Sequence, residues 1–172
     1  MLIKIGNTKE ASDIVDLLLE CHERILAFAG LACRLAGTEG LSNDEIKDAA
    51  GRIVRYFAQS LPLHVADEEE SIVPRLSNRN PDLDVALRTM HEEHGDHARD
   101  VESLVQICRR LESAPEELPA LREGLLKTAT SLQDKFVAHL NQEEKIILPA
   151  IRTLLSPADR DAMLKELRAR RT

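Results

Sequence analysis

The chain has few aromatic residues, and this scarcity limits the kind of core that it can build. Its 172 residues include no tryptophan, one tyrosine and three phenylalanines. Leucine, alanine and isoleucine must therefore fill the interior, which suits packed helices better than a β-sandwich built from aromatic and β-branched strands. A content of 43% hydrophobic and 31% charged residues indicates a globular chain rather than a disordered one.

Other scarcities narrow the class of protein. Cysteine occurs three times, at Cys21, Cys33 and Cys108, with wide spacing and no C-x-x-C pair. This pattern is typical of reduced thiols in a cytoplasmic protein rather than of a disulfide framework. The opening "MLIKIGNTKEAS" lacks the apolar stretch of a secretory signal, and no apolar run approaches the ~18 residues that a membrane span needs. We therefore expect a cytoplasmic protein that does not enter a membrane.

Basic residues are fewer than acidic residues, 23 against 30. The formal net charge is −7, which disfavours a nucleic-acid binder because such proteins normally present a basic surface to the phosphates. The exception is the basic tail "LRARRT" at residues 167–172. We interpret this tail as a solvated helix end, where cations complement the negative end of the helix dipole.

Apolar residues recur at the three- and four-residue spacing of amphipathic helices along four long segments. Ser12 can cap the first helix, which should end near Gly37. Ser42 begins the second helix, with capping-box spacing to a glutamate three residues later. Pro62 lies inside this second helix and should kink or interrupt it, and Pro74 marks its last turn.

The remaining helices follow from similar signals. Asn80, with a proline directly after it, begins the third helix. The fourth helix runs from about Pro115 or Pro119 to about Leu155, and Ser156 caps a short fifth helix. Four long amphipathic helices joined by short loops predict an all-α protein. Their simplest packing is an up-down-up-down antiparallel four-helix bundle with a short extra helix at the C-terminus.

Polar residues interrupt the apolar stripe of every long helix. They are His22 in the first helix, His64 and Glu68 in the second, His94 and His97 in the third, and His139 and Glu143 in the fourth. A buried glutamate is costly unless it is paired or bound to a metal, and no lysine or arginine occupies a matching inward position. A metal removes this cost, because imidazoles bind it in their neutral form and carboxylates in their ionised form.

Two stretches share one arrangement: "LHVADEEESIVPRL" at residues 63–76 and "AHLNQEEKIILPAI" at residues 138–151. In each, a glutamate follows a histidine by four residues, about one helical turn, so both side chains leave the same face and reach a common centre. Four imidazoles and two carboxylates are too many ligands for one tetrahedral zinc ion. They suit two octahedral ions bridged by the carboxylates, with iron favoured and zinc or manganese as alternatives. Ferritin-like bundles use Glu-x-x-His instead, so ferritin-type chemistry is not expected.

Four motifs together resemble the hemerythrin-like family, also described as the HHE cation-binding domain. They are "CHERI" in the first helix, "HVADEEESIVP" in the second, "EEH" in the third and "HLNQEEKIILP" in the fourth. Each motif alone is weakly specific, but the four in this order are more so. The resemblance covers about residues 12–155, so we expect a single domain over residues 1–172 with its core in that range.

The resemblance implies a four-helix bundle that holds a non-haem di-iron centre. By the family pattern, His22 and His64 would serve one iron, His94 and His139 would serve the other, and Glu68 and Glu143 would bridge the two ions. An oxo or hydroxo group usually forms a third bridge. An open position would remain for a small diatomic ligand or a peroxide.

The sequence departs from the oxygen-carrying hemerythrins in its third and fourth helices. Those proteins have His-x-x-x-His on the third helix and His-x-x-x-x-Asp on the fourth. Here His91, His94 and His97 follow one another at three-residue steps, and Glu143 ends the fourth-helix motif. Val65 also stands where many HHE domains have a second histidine. These departures weaken the case for reversible O₂ carriage. His97 shares the apolar stripe with His94 and is a candidate fifth nitrogen ligand, whereas His91 should lie at the surface.

Residues beside the candidate ligands have simpler interpretations. Asp67, Glu69, Glu70 and Glu144 are interpreted as a solvated face, with room for one of them to hold a ligand in place. Cys21 adjoins a candidate ligand in sequence, but consecutive side chains diverge on a helix, so we expect it to be inert.

Three functions are compatible with such a site. The first is a binding protein that binds or senses O₂, nitric oxide or iron, with sensing passed on through a protein partner. The second is a di-iron redox enzyme acting on peroxide or nitric oxide. The third is a bundle in which zinc or a single metal serves stability alone. The binding protein and the enzyme would share fold and ligands, so the sequence does not separate them, and homodimer formation is equally open.

Overall fold

The computed structural model describes residues 13–172, and within this range the chain forms five helices and no strand. The prediction of an all-α protein is confirmed for these residues, whereas the predicted cap Ser12 lies outside them. The helices are α1 at Ile14–Gly37, α2 at residues 43–76, α3 at Pro81–Ser113, α4 at residues 118–154 and α5 at Pro157–Ala169. A 3₁₀ turn at Pro115–Glu117 precedes α4.

Local capping explains where several of these helices begin. Ser42 and Glu45 form a capping box at the start of α2: the Glu45 backbone N–H donates to the Ser42 hydroxyl, and the Ser42 N–H donates to the Glu45 carboxylate at 2.8 Å. The Asn80 side chain caps α3, and Ser156 begins α5 with a second capping box. The predicted caps of α2, α3 and α5 are therefore confirmed, as is the end of α1 at Gly37.

Helices α2 and α4 are widened by π-helical turns. These turns are Tyr56–Ser60 and Asp67–Ile72 in α2 and Glu143–Ile147 in α4, and Pro62, Pro74 and Pro149 each stand two residues after one of them. A proline lacks an N–H and crowds the carbonyl four residues before it, and a turn with i→i−5 hydrogen bonds accommodates the ring without ending the helix. The kink predicted at Pro62 therefore takes the form of a π turn.

Two of the π turns contain the glutamates that the sequence singles out. Glu68 is the second residue of one turn, and Glu143 is the first residue of another. The Glu68 carbonyl accepts a hydrogen bond from the Val73 N–H, and the Glu143 carbonyl accepts one from the Leu148 N–H. Turns of this kind are rare and occur frequently at functional sites. The shared offset from glutamate to proline thus reflects a shared backbone conformation.

The four long helices pack around a core that a polar layer divides. Helix α1 packs against α2 and α4, and α3 packs against the same two helices. The buried apolar residues form two clusters: residues 14–18 of α1 belong to one and residues 25–36 to the other, and in α4 the change lies between Leu140 and Ile147. The predicted histidines and glutamates lie in the layer between the two apolar clusters.

Helix α5 attaches the C-terminal residues to α2. Met163 and Leu167 are buried in one apolar cluster. Beyond the helix, Arg170 Nη1 lies 3.0 Å from one oxygen of Asp67, and Arg171 Nη2 lies 2.5 Å from the other. The interpretation of the basic tail as a solvated helix end is wrong, because Asp67 is 0% exposed and needs these guanidinium groups as partners.

Within residues 13–172, no helix combines the length and apolar character needed to cross a membrane. The cysteines are free thiols, as their spacing predicted. Cys21 and Cys108 are buried, and the Cys33 thiol donates a hydrogen bond to the Gln133 side chain at 3.1 Å.

Candidate metal centre

Six of the seven residues predicted as metal ligands meet in the layer between the two apolar clusters. They are His22 from α1, His64 and Glu68 from α2, His94 from α3, and His139 and Glu143 from α4. Five of the six are at most 4% exposed, and the sixth, the His94 side chain, is 10% exposed. Their ligand atoms form two groups of four, and within each group all atoms lie within 4.8 Å of one another.

Glu68 belongs to both groups because its two oxygens face different histidines. Oε1 lies 3.1 Å from His64 Nε2, and Oε2 lies 3.0 Å from His94 Nε2. His64 precedes Glu68 by one helical turn, so the two side chains leave the same face of α2, as their spacing predicted. The carboxylate therefore spans two positions at which a cation would contact an imidazole.

Glu143 repeats this arrangement from the opposite pair of helices. Its Oε1 lies 2.7 Å from His139 Nε2, one turn earlier on α4, and its Oε2 lies 3.2 Å from His22 Nε2 on α1. One group therefore comprises His22, His64, Glu68 and Glu143, and the other comprises Glu68, His94, His139 and Glu143. The two carboxylates are common to both groups, and each group has its own pair of imidazoles.

Several buried atoms of this centre lack a hydrogen-bond partner among the described residues. They include Nε2 of three histidines, both oxygens of Glu143 and Oε2 of Glu68. A buried polar atom without a partner costs about 1–3 kcal/mol, and an unpaired charge costs more. No lysine or arginine in residues 13–172 forms an ion pair with either carboxylate. A coordinated cation would satisfy these atoms, so the donor set fits a metal.

In the absence of a cation, the carboxylates and imidazoles of the centre shift one another's pKa values. Burial lowers the pKa of His139, but the nearby Glu143 carboxylate, followed by Glu93 and Glu68, outweighs burial and raises that pKa to about 9. Burial raises the pKa of Glu68, but the positive charges and hydrogen bonds of His64 and His94 together outweigh burial and hold the pKa well below its usual range. In the metal-free centre the pKa values of His64, His94 and His139 are thus raised, and a metal that binds there displaces protons from these imidazoles.

Three of the four converging histidines also bind a carboxylate through the nitrogen that faces away from the centre. His22 Nδ1 donates to Glu144 at 2.9 Å, His94 Nδ1 donates to Glu69 at 2.7 Å, and His139 Nδ1 donates to Glu93 at 2.6 Å. Such bonds fix the orientation of the ring and make it a stronger metal ligand. His64 is the exception, since its Nδ1 has no hydrogen-bond partner in the described part of the chain.

These contacts correct the interpretation of the neighbouring carboxylates as a solvated face. Glu69 and Glu144 each reach a histidine on another helix. Asp67 is fully buried between two arginines. Glu70 fits the expectation best, with its side chain 66% exposed and 3.2 Å from Arg170, and the Glu144 side chain remains 44% exposed beside its histidine. The error arose because a run of acidic residues on one helix does not show which of them another helix covers.

Sequence reasoning missed Glu93 altogether. A signal for it existed, because each of the three outer carboxylates is the sequence neighbour of a predicted ligand. Glu69 follows Glu68, Glu144 follows Glu143, and Glu93 precedes His94. Each of them serves a histidine on a different helix, however, and spacing along one helix cannot identify that partner.

A cavity of about 220 Å³ opens beside the centre, with His64, His94, His97 and His139 among its mainly apolar lining. His97 belongs to neither ligand group. Its ring packs edge-on against Phe136 and His139, with centroid separations of 5.2 and 4.9 Å. Burial, and after it the charge of His139, lowers the pKa of His97 to about 4. The structure thus places the candidate fifth nitrogen in the cavity wall rather than among the ligand atoms.

The two other residues singled out near the centre lie at its edge. The His91 side chain is 70% exposed and pairs with Glu69 at 3.0 Å, so its predicted surface position is confirmed. Val65, which stands where many HHE domains have a histidine, contributes an apolar side chain to the 220 Å³ cavity.

Comparison with known proteins agrees with the motifs and the geometry. No match was found among curated proteins. The family model described as the hemerythrin HHE cation binding domain matches residues 13–151, a range that includes every residue of the two ligand groups. The chain therefore belongs to the hemerythrin HHE cation-binding domain family.

Proposed function

We propose that the chain is a non-haem di-iron protein that binds or senses a small ligand such as O₂ or nitric oxide, or iron itself. One observation carries this proposal: each of two buried carboxylates presents one oxygen to each of two separate imidazole pairs. A site for a single ion would not need two bridging carboxylates and four imidazoles. Mixed nitrogen and oxygen donors favour iron over magnesium or calcium.

The chain's own atoms divide evenly between the two proposed ions. His22 and His64 would hold one ion, together with Oε2 of Glu143 and Oε1 of Glu68. The remaining oxygens of the same carboxylates would hold the second ion with the imidazoles of α3 and α4. Two iron ions bound in this way would supply redox chemistry and open coordination positions. With four donors from the chain, each ion would have room for a further small ligand.

The 220 Å³ cavity supports a small and weakly polar ligand. It lies against three of the imidazoles that would hold metal, and its remaining lining is largely apolar. Its fourth imidazole, His97, has a pKa of about 4 and is therefore uncharged at neutral pH. No carboxylate, lysine or arginine belongs to this lining. Such a wall admits a neutral diatomic molecule or peroxide more readily than an ion.

The same cavity favours a second candidate function, the redox turnover of peroxide or nitric oxide. His97 offers a nitrogen inside the cavity that neither ligand group uses. An imidazole in that position could donate or accept a hydrogen bond with a bound peroxide. A merely reversible O₂ binder would have less need of such a group.

The helix order belongs to the same proposal. The connections between the four long helices are short, and each of these helices packs against two others. An up-down-up-down bundle in a single domain accounts for both observations.

Metal analysis of protein from iron-rich medium tests the proposal. We expect about two irons per chain, and iron content well below two when His64 or His139 is changed to alanine. His91→Ala is the matched control, because this histidine is exposed and should leave iron content unchanged. Full iron occupancy in both ligand variants would refute the assignment, and one zinc per chain would indicate a structural metal instead. Stopped-flow spectroscopy of the iron form would then separate reversible ligand binding from turnover.

A further inference from the structure

The unequal surroundings of the four central histidines suggest a second binding site. Three of them have a glutamate on the outward nitrogen, whereas His64 Nδ1 has no hydrogen-bond partner among residues 13–172. His64 is 3% exposed, so this nitrogen is a buried polar atom. An imidazole that gives Nε2 to a metal carries its proton on Nδ1, and that N–H requires an acceptor.

The unpartnered imidazole lines a second cavity, of about 420 Å³, which we name the His64 cavity. Its polar wall is formed by Cys21, Arg24, Tyr56, Ser60 and Arg171, and it contains no aspartate or glutamate. Guanidinium groups are obligate donors, hydroxyls donate or accept, and a thiol is only a weak acceptor. The volume lies in the usual range for small-molecule sites, about 300–1,000 Å³. The cavity therefore offers more donors than acceptors, and its lining contains no carboxylate.

Cys21 does not supply the missing acceptor in full. Its sulfur interacts with His64 and also lies 3.8 Å from Arg171 Nη2. A sulfur shared between these two donors is a poor substitute for the carboxylate oxygens that hold the other three rings at 2.6–2.9 Å. An occupant with oxygen acceptors would satisfy the ring and the guanidinium groups together.

The charges around the cavity favour an anion. Burial raises the pKa of the Tyr56 phenol, and the nearby Cys21 acts in the same direction, whereas Arg24 and Arg171 act in the opposite direction. Both guanidinium groups thus place positive potential inside the cavity. Their own acidic partners, Glu20 for Arg24 and Asp67 for Arg171, are not part of its lining.

We propose that the His64 cavity binds a small carboxylate anion, which accepts hydrogen bonds from His64 Nδ1 and from the guanidinium groups of Arg24 and Arg171. The anion would accept the hydrogen bond from His64 Nδ1, as a glutamate does from the outward nitrogen of each of the other three rings. The proposal rests on the proposed function in one respect, because metal binding at Nε2 fixes the proton on Nδ1. It adds a ligand class and a site separate from the 220 Å³ cavity.

Acetate is the probe, and its binding is measured by NMR with ¹³C-labelled acetate on both metal-free and iron-loaded protein. Arg24→Ala should weaken acetate binding about tenfold, the loss of one charge-assisted hydrogen bond or about 1.4 kcal/mol. Arg34→Ala is the matched control, since this arginine is also exposed on α1 but does not line the cavity. Neither substitution touches a buried residue, so both variants should fold.

A second pair of variants separates this site from direct binding to metal. Ser60 lines only the His64 cavity, and Ala98 lines only the 220 Å³ cavity; both residues are exposed. Ser60→Phe should abolish acetate binding, whereas Ala98→Phe should leave it intact. The reverse result would place acetate at the metals and overturn the proposal.

Other outcomes also decide the matter. Equal weakening by the two arginine substitutions would indicate non-specific attraction and would overturn the proposal. The absence of acetate binding to fully iron-loaded protein would also overturn the proposal, but it would leave the proposed function intact. Failure to load iron would instead refute the proposed function. Acetate binding to such metal-free protein, lost in Ser60→Phe, would still support the cavity as an anion site.

Discussion

The ion pairs between Asp67 and the C-terminal arginines allow a quantitative test of how α5 is attached. Asp67 is 0% exposed, and the Arg170 and Arg171 side chains are 20% and 27% exposed. Replacing both arginines by alanine leaves a buried carboxylate without a cationic partner. Breaking a buried pair from one side typically costs about 3–5 kcal/mol, and the partial exposure of the arginines places our expectation near the lower end, at about 3 kcal/mol.

The measurement is denaturant unfolding of the metal-free protein, with thermal unfolding as a second readout. In a protein of this size, 1 kcal/mol corresponds to roughly 2–4 °C in Tm, so the double variant should melt about 6–12 °C lower. Lys165→Ala is the control, because this residue is exposed on α5 and should change the free energy of unfolding by less than about 0.5 kcal/mol.

A third substitution distinguishes a buried charge from lost packing. Asp67→Asn, added to the variant that lacks both arginines, removes the unpaired charge and should recover a large part of the lost stability. The triple variant would then be more stable than the double variant although it makes no additional contact. Our reasoning is wrong if the double variant loses less than about 1 kcal/mol, or if the asparagine brings no recovery.

Two further predictions follow from the carboxylates. Glu93→Gln should weaken iron binding about 10–100-fold in an iron competition assay, because Glu93 holds the outward nitrogen of His139, a predicted metal ligand. Glu92→Gln is the control, since Glu92 is exposed and next to Glu93 in sequence. Equal effects of the two substitutions would contradict the role given to Glu93. A hydrogen bond from Arg75, and then one from a buried serine, lower the pKa of Glu166. The ionised carboxylate therefore stabilises the fold above the ordinary glutamate pKa of about 4.3, and this contribution is lost as pH falls through the lowered value. The difference in unfolding free energy between the metal-free parent and Glu166→Gln should be full at pH 6 and shrink towards pH 3; a difference independent of pH would contradict this.

The parts of the structure that the sequence predicts are those determined within one helix. Ser42, Asn80 and Ser156 each cap a helix through the residue three positions later, so their roles are visible in the sequence. The two pairs with four-residue spacing, His64 with Glu68 and His139 with Glu143, converge because each pair occupies one helical face. Their convergence needs only a helix and an apolar stripe, and both are readable from residue types.

The parts that the sequence does not predict depend on contacts between helices. Glu93 reaches His139 across α3 and α4, over a sequence separation of 46 residues. Asp67 is buried only because the C-terminal arginines arrive from α5, more than 100 residues later. The relative rotation and displacement of packed helices decide such contacts, and neither quantity is encoded in the spacing along a single helix.

The division of the core into two clusters has a consequence for how the protein unfolds. Each long helix passes from one cluster to the other through the layer of histidines and glutamates, so ions held there would fasten all four helices at mid-length. Without metal, this polar layer would be the least stable part of the bundle, and each end of the molecule would keep an apolar cluster of its own. Unfolding of the metal-free protein would then no longer be a single two-state transition, and this change would appear before helical content declines.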